Sequence, residues 1–379
     1  MKVVGLTIQP LRIPFVERFH HSLKARAASD SVVVRVKLDN GTCGYGEGLP
    51  RPYVTGESVD TLVSHISSTL WPAIAEQALD AEDLLPTLSK LLPVTLGEGD
   101  VRAHNAARCA VEVAVIDAVL RATGQGLHEL LPPKVKTLTY SGVITSGSLE
   151  AVTKRARQFL RLGLNHIKIK AGQGDTVNKV AAAREILGDE ALIRIDANSA
   201  WDLATAKDVL SALEPYNVAS CEEPLQAQEW KQMAELRQEV SIPLMADESL
   251  VTHQDAQNLV NHRAIDLFNI RLSKCGGIGP CLSLASYAQE HGLSYQLGAH
   301  VGETAILSAA GRHFAAHLGD ARFVEGSYGT LLLTEDLARS SLRFGHRGTG
   351  VLLKGTGLGV SILEERVERY AISRIEKGI

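Results

Sequence analysis

Along the first part of the chain, apolar and polar residues alternate with the period of two that strands show. Ser31-Val-Val-Val-Arg-Val-Lys-Leu38 runs into Asp39-Asn-Gly41, a hairpin turn in which glycine supplies positive φ, and Thr42 to Gly48 returns. Residues 1 to about 48 therefore read as antiparallel strands. The stretch Phe19-His-His-Ser-Leu-Lys24 breaks the pattern and reads as a loop, as does Arg51 to Glu57. From about residue 58 to 123 the period becomes helical, with Ser58 as a candidate cap and breaks around Pro93 and Gly97. The clearest helix spans Val101 to Ala122. It places Ala110, Val113, Ala114, Asp117 and Ala118 on one face and stops at Gly124-Gln-Gly126. Strands followed by helices make an α+β domain over residues 1–130.

From Thr137 the pattern changes to short apolar strands alternating with helices. The strands fall at Thr137 to Ile144, His166 to Lys170, Ile193 to Asp196, Val218 to Glu222, Pro243 to Asp247, Ile265 to Arg271, Ser294 to Ala299 and Ala321 to Glu325. Eight strands in residues 131–330 are what a TIM-like barrel needs. A doubly wound sheet fits less well, because polar residues end nearly every strand instead of gathering at one switch point. Residues 331–379 leave the repeat. Val351-Leu-Leu353 and Val367 to Ile372 read as short strands in a tail that packs back on the first domain.

Composition narrows this picture only a little. A chain of 379 residues is long for one core, so two domains are expected. A net charge of −4 with both signs interspersed leaves no footprint of a nucleic-acid binder. No apolar run approaches the roughly 20 residues that span a bilayer. The start, Met-Lys-Val-Val-Gly, carries no charged leader, so a cytoplasmic protein is expected. The five scattered cysteines agree with free thiols in a reducing compartment. Cys221, beside Glu222, reads as a small buried residue pointing away from any site.

The strand ends carry the chemistry. Asp196, Glu222 and Asp247 stand 26 and 25 residues apart, about one βα unit each. Equal phase in successive parallel strands sets them around one rim. Three carboxylates converging there repel unless a cation lies between them. Mg²⁺ suits such a set, with Mn²⁺ as second choice, because it takes oxygen ligands and keeps open positions for water or substrate. Glu223 and Glu248 adjoin two of these acids, and strand alternation lets only one of each pair enter the site. Asn198, two residues beyond Asp196, is placed to support a ligand.

Lys168 and Lys170 share a face of their strand. Like charges beside a metal and partly desolvated predict that at least one titrates below the ordinary lysine value, as a general base needs. Arg271 ends the sixth strand. It stays protonated, so it is a poor base; a substrate contact and a rim ion pair are both open readings. Lys274, at odd spacing beyond it, is aimed elsewhere. Cys275-Gly-Gly-Ile-Gly279 reads as a tight turn into a helix. His300 and Glu303 follow the seventh strand, and Glu325 ends the eighth. His20 and His21 would have to fold over the barrel mouth to matter, and Tyr53 lies in the other loop placed to select a substrate.

The combination resembles the enolase superfamily, and within it the muconate-lactonizing-enzyme subgroup, whose relatives include mandelate racemase. The matching motifs are Lys168-Ile-Lys170, Asp196-Ala-Asn198, Glu222-Glu-Pro224, Asp247-Glu-Ser249, Asn269-Ile-Arg271 with Cys275-Gly-Gly277, and Glu325 before Gly329-Thr-Leu-Leu-Leu-Thr334. The helix Ala110 to Asp117 and the loop Tyr53-Val-Thr-Gly-Glu57 match the N-terminal domain. The resemblance covers nearly the whole chain and implies an α+β capping domain on a (β/α)₇β barrel. It implies Mg²⁺ on Asp196, Glu222 and Asp247, with Lys170 as the principal acid/base and Lys168 beside it. The shared chemistry is removal of a proton α to a carboxylate, giving an enediolate. The expected partners are a small carboxylate substrate, contacted by His300, Glu325, Tyr53 and His20, and further copies of the chain in a homo-oligomer.

One departure matters. The subgroup's sixth strand ordinarily ends in lysine, where this chain has Arg271. The leading expectation is a muconate-cycloisomerase-like enzyme with single-base chemistry. A dehydratase like o-succinylbenzoate synthase, an epimerase of dipeptides or amino-acid derivatives with His300 on the second face, and a non-catalytic carboxylate-binding relative are the alternatives.

Overall fold

A computed structural model describes the chain except residues 21–24, 146, 173 and 379, together with the side chains of residues 17–20, 25 and 26. The chain opens with β1 (Val3–Pro10), β2 (Pro14–His20), β3 (Ala25–Ala28), β4 (Val32–Leu38) and β5 (Cys43–Gly48). β2 and β3 pair as a hairpin through Phe19↔Arg26 and His20↔Ala25. Phe19 and His20, expected in a loop, are therefore strand, and residues 21–24 lie outside the described residues. β1, β4 and β5 form one antiparallel sheet, and the turn at Gly41 (φ 85°) joins the last two.

The sheet packs on the helix Asn105–Thr123, which is buried along most of its length and ends at Gly124 with φ 72°. The helix begins later than Val101 because the preceding backbone is engaged elsewhere. Arg102 N–H donates to the Thr55 carbonyl at 2.8 Å and His104 N–H to the Thr95 carbonyl at 3.0 Å. The close approach has a sequence basis. Gly44, Gly46 and Gly48 recur with the strand period, and Ala106, Ala110, Ala114 and Ala118 with the helical one. A Cβ at Gly44, Gly46 or Gly48 would fall inside the helix backbone at Ala118, Ala110 and Ala106 respectively. Gly46→Ala is thus expected to lower stability by about 1–3 kcal/mol, the usual cost of overpacking, read as a reduced urea midpoint.

The barrel begins after β6 (Thr137–Thr139). Its strands are β7 (Gly142–Ile144), β8 (His166–Lys170), β9 (Leu192–Asp196), β10 (Val218–Glu222), β11 (Leu244–Ala246), β12 (Leu267–Ile270) and β13 (Ser294–Leu297). They lie parallel in chain order, with helices between them. The expected first strand is split: Thr137–Thr139 pairs instead with β14 (Thr349–Val351). The expected eighth strand is reduced to bridges from Val324 to Leu297 and Tyr140, which close the ring. This is a TIM-like barrel capped by an α+β domain.

In the tail, Val367 lies in the helix Glu364–Tyr370, not in a strand. Val367 is buried there while Glu364, Glu365 and Glu368 face outward, which is a helical pattern. β15 (Ile375–Gly378) then adds to β1 antiparallel. Buried acids also tie the two parts together. Glu47 accepts from Thr304 N–H, Thr304 Oγ1 and Leu307 N–H at the start of the helix Ala305–Leu318. Glu112 does the same for Ile278 and Gly279 at the start of the next helix back, Ile278–Glu290. Each carboxylate satisfies helix N–H groups that lack partners within the helix.

Candidate active site

Parallel pairing sets Lys170 beside Asp196, and Asp196 beside Glu222. Asp247 follows the last residue of β11. The period of two brings Lys168 to the same side as Lys170, one layer deeper. Lys168 Nζ lies 2.8 Å from Asp196 Oδ2, 2.8 Å from Glu222 Oε2 and 3.3 Å from Glu325 Oε1. Lys170 Nζ donates to Asp196 Oδ2 at 2.6 Å and to Asn198 Oδ1 at 2.7 Å. Arg271 Nη2 bridges Glu222 Oε1, at 3.2 Å, and Asp247 Oδ2. The rim ion pair is therefore realised, and Arg271 also faces the cleft described below.

Charge inside this rim follows from burial set against neighbours. Burial alone would raise Asp196 and Asp247. Lys168 and Lys170 outweigh it at Asp196, and Arg271 and Lys274 at Asp247, so both stay below the ordinary aspartate value. Burial raises Glu222 to about 7, assisted by Asp196, Asp247 and Glu325 and opposed by Lys168. The expectation of a depressed lysine fails for Lys168. Burial would lower it, but Asp196, Glu222 and Glu325 together hold it well above its ordinary value. Its second lysine matters less than the three acids touching it.

Several supporting residues escape a reading by strand alternation. Lys274 is fully buried and donates to Asp247 Oδ1 at 2.8 Å, to the Asp247 carbonyl at 2.7 Å and to the Asn269 carbonyl at 2.7 Å. It points inward because the one-turn helix Leu272–Cys275 starts straight after Arg271, so strand spacing no longer applies. Glu248, next to Asp247 and beyond the end of β11, lines the cleft. Glu223, at φ 39°, braces this segment by accepting from Asp247 N–H at 2.6 Å and Ser249 N–H at 3.1 Å. Asn198 reaches Lys170 from a left-handed conformation, φ 48°, not from a continued strand. Below the rim, Arg194 donates to Glu325 Oε1 at 3.0 Å and to Gln296, with its guanidinium 4.5 Å from the Phe323 ring centre. Asn269 Nδ2 holds Glu222 Oε1 at 2.8 Å. Besides Glu325 and Asn269, the sequence signal for this layer is the interior arginine in Leu192-Ile-Arg-Ile-Asp196.

A cleft of about 410 Å³ opens over the rim. Lys168, Lys170, Asn198, Glu248, Arg271 and Glu325 line its polar floor, and Val143, Phe159, Leu164, Leu331, Leu332 and Phe344 an apolar wall. Tyr53, Arg51, His300 and Glu303 complete the mouth. His300 is buried and its N–H donates to Glu303 Oε1 at 2.6 Å. Glu325 sits deeper than a substrate contact was expected to, held between Lys168 and Arg194. The His20 side chain lies outside the described residues, as does all of His21. Cys221 is buried, and its thiol is pushed up by burial first and then by Asp196, Glu222 and Glu223.

Residues 5–132 match the mandelate racemase/muconate lactonizing enzyme N-terminal domain, and residues 151–366 the enolase C-terminal domain-like family. The chain belongs to the enolase superfamily, in its mandelate racemase/muconate lactonizing enzyme branch. N-succinyl-L-Arg/Lys racemase of Bacillus cereus is 27% identical over 98% of each chain. Its crystal structure superposes with a TM-score of 0.90, covering 100% of both chains. Muconate cycloisomerase 1 of Rhodococcus opacus is 27% identical over 98% of each. The dipeptide epimerase of Cytophaga hutchinsonii, crystallised with Mg and D-Ala-L-Val, is 26% identical, with a TM-score of 0.88 over 99% of this chain and 100% of that one. These relatives are isomerases, and the present chain is an isomerase of the same superfamily.

Enzymes of this superfamily branch generally depend on a divalent metal. The donor chemistry here fits one. The candidate ligands are carboxylate oxygens, which suit a hard cation. Glu248 Oε2 is buried with no hydrogen-bond partner, and Glu222 is held at a raised pKa. The Glu248 oxygen, next to Asp247, is a carboxylate oxygen left over for a cation. As the side chains stand, no three acid, histidine or cysteine groups among the described residues enclose an ion. The oxygens are engaged instead by Lys168, Lys170, Arg271 and Lys274. Asp196, Glu222 and Asp247 would hold the metal, with Arg271 the side chain whose contacts compete with it.

Proposed function

We propose that this isomerase moves a proton at the carbon α to the carboxylate of a small organic acid, with Lys170 as the acid/base group and Mg²⁺, or Mn²⁺, as the metal. The observation that carries the reading is the Lys170 ammonium. It projects into the cleft, 15% exposed, held by Asp196 and Asn198 beside the acid rim. When bound, the cation stabilises the negative charge that develops on the substrate carboxylate. Lys170, in its amine form, takes the α-proton at Nζ. Asn198 fixes its direction, and Lys168, held by three acids, keeps a positive charge below the reacting carboxylate. The apolar wall of Phe159, Leu164, Leu332 and Phe344 covers the substituent and excludes water.

The relatives make N-acyl amino acids and dipeptides the first compounds to try. The test is proton NMR of the α-position in D₂O with N-succinyl-L-lysine, N-succinyl-L-arginine and L-Ala-L-Glu, using the full chain with MgCl₂. At least one is expected to lose its α-proton signal, and EDTA to stop the loss. Signals that persist in every case, or that fade equally with EDTA, would sink the reading. Arg271 favours a second reading, cycloisomerisation of a diacid, because a fixed guanidinium at the mouth is placed for a second carboxylate. Loss of muconate absorbance in the same protein would support it.

A further inference from the structure

A racemase or epimerase needs a proton carrier on each face of the α-carbon. Lys170 serves one face. Arg271, across the mouth, cannot serve the other. An arginine keeps its proton at any ordinary pH, and this guanidinium is engaged by Glu222 Oε1 at 3.2 Å and by Asp247 Oδ2. Another group on the far side must carry the proton if both enantiomers are to react.

Glu303 stands there. It follows β13, which lies five strand positions from β8 along the sheet and so across the mouth from Lys170. It lines the same cleft as Lys170 and Arg271. One oxygen, Oε1, is fixed by the His300 N–H at 2.6 Å. The other, Oε2, takes no protein hydrogen bond among the described residues. It faces Gly326, where a Cβ would come within 3.8 Å. A structural duty does not account for the residue. The helix Ala305–Leu318 begins two positions later, but Glu47 and Asp336 already satisfy its first N–H groups. The turn at residues 300–303 needs only an oxygen at Oε1, which glutamine also supplies.

We propose that Glu303 is the proton donor and acceptor on the face of the substrate α-carbon turned away from Lys170. This rests on the functional reading above. In one direction Lys170 Nζ takes the α-proton and becomes ammonium, and the C–H electron pair passes into the carboxylate as an enediolate. The Glu303 carboxyl then gives its proton to the opposite face and is left as carboxylate. The other enantiomer runs the sequence backwards. Exchange with water restores the two groups between turnovers in one direction.

The surroundings keep a proton on Glu303 near neutral pH. Desolvation in the cleft wall is the largest influence and Glu47 adds to it, while the His300 N–H, Arg271 and Arg51 pull the other way; the result is about 8. Arg271 thus acquires a place in the scheme as the charge that steadies the Glu303 carboxylate after transfer.

The test compares full-length wild type, Glu303→Gln and His300→Gln, with MgCl₂ in D₂O, on both enantiomers of N-succinyl-lysine, N-succinyl-arginine and the Ala-Glu dipeptide. In Glu303→Gln, interconversion is expected to fall by at least about 100-fold, the usual worth of a general acid. α-Proton exchange should persist on the one enantiomer that Lys170 serves and vanish on the other. Wild-type interconversion rates in Glu303→Gln would overturn the assignment. So would equal loss of exchange from both enantiomers in a variant whose circular dichroism and melting match wild type. One-sided loss in His300→Gln but not in Glu303→Gln would transfer the role to the histidine. A wild type that exchanges one enantiomer without interconversion overturns Glu303 alone; one that exchanges none overturns the functional reading as well.

Discussion

Lys170→Ala is expected to slow α-proton exchange by about 10²–10⁴-fold, the range a positioned general base supplies. The fold should survive. Asp196 keeps Lys168 at 2.8 Å, so it is not left without a cation. The lost ammonium is also the least buried of the site's lysines, with 15% exposure against 3% for Lys168 and 0% for Lys274. Metal binding, followed by calorimetry on the variant, should persist, since Lys170 touches Asp196 but supplies no candidate ligand. Undiminished exchange in Lys170→Ala would remove the residue from the mechanism. Glu303→Gln is expected to act differently, abolishing exchange from one enantiomer only, so the two variants together separate the faces of the α-carbon.

Lys274→Met should be the most damaging of the substitutions to stability. Removing one partner of a buried pair costs about 3–5 kcal/mol, because the other charge stays buried. Here the ammonium also satisfies the Asp247 and Asn269 carbonyls, which methionine cannot do. Arg271 remains on Asp247 and softens the loss, which places the effect nearer the lower figure. The check is urea unfolding, with the midpoint shifted down and the slope unchanged. A variant as stable as wild type would show that Arg271 alone is enough to hold Asp247.

The acid rim was legible in the sequence because parallel strands convert equal spacing into neighbourhood. Asp196 and Glu222 each close one strand and Asp247 follows the next, and the register Asp196↔Glu222 is what such spacing requires. Lys168 and Lys170 followed from the period of two. The same rule misdirected Lys274 and Glu248, and it placed Asn198 correctly but through a backbone it did not foresee; all three lie just beyond strand ends. Local backbone there is a helical turn, a bend and a left-handed residue, and alternation does not survive any of them. The pKa expectation for Lys168 failed for a related reason. Sequence showed the neighbouring lysine two residues away, but not that three carboxylates from other strands would converge on the ammonium.

The capping domain shows the division from another side. The glycines of β5 and the alanines of the helix Asn105–Thr123 were each visible as a period. Their meaning, one backbone laid against another, needed the two elements to be brought together. The sequence by itself determined the barrel, the order of its charged strand ends and the class of chemistry they support, because these depend on periodicity along the chain. Only the tertiary structure decided that Arg271 bridges Glu222 and Asp247, that Lys274 turns inward, and that Glu303 faces the cleft with an oxygen to spare. Those outcomes depend on side chains from distant segments competing for the same oxygens, and no spacing within one segment encodes that competition.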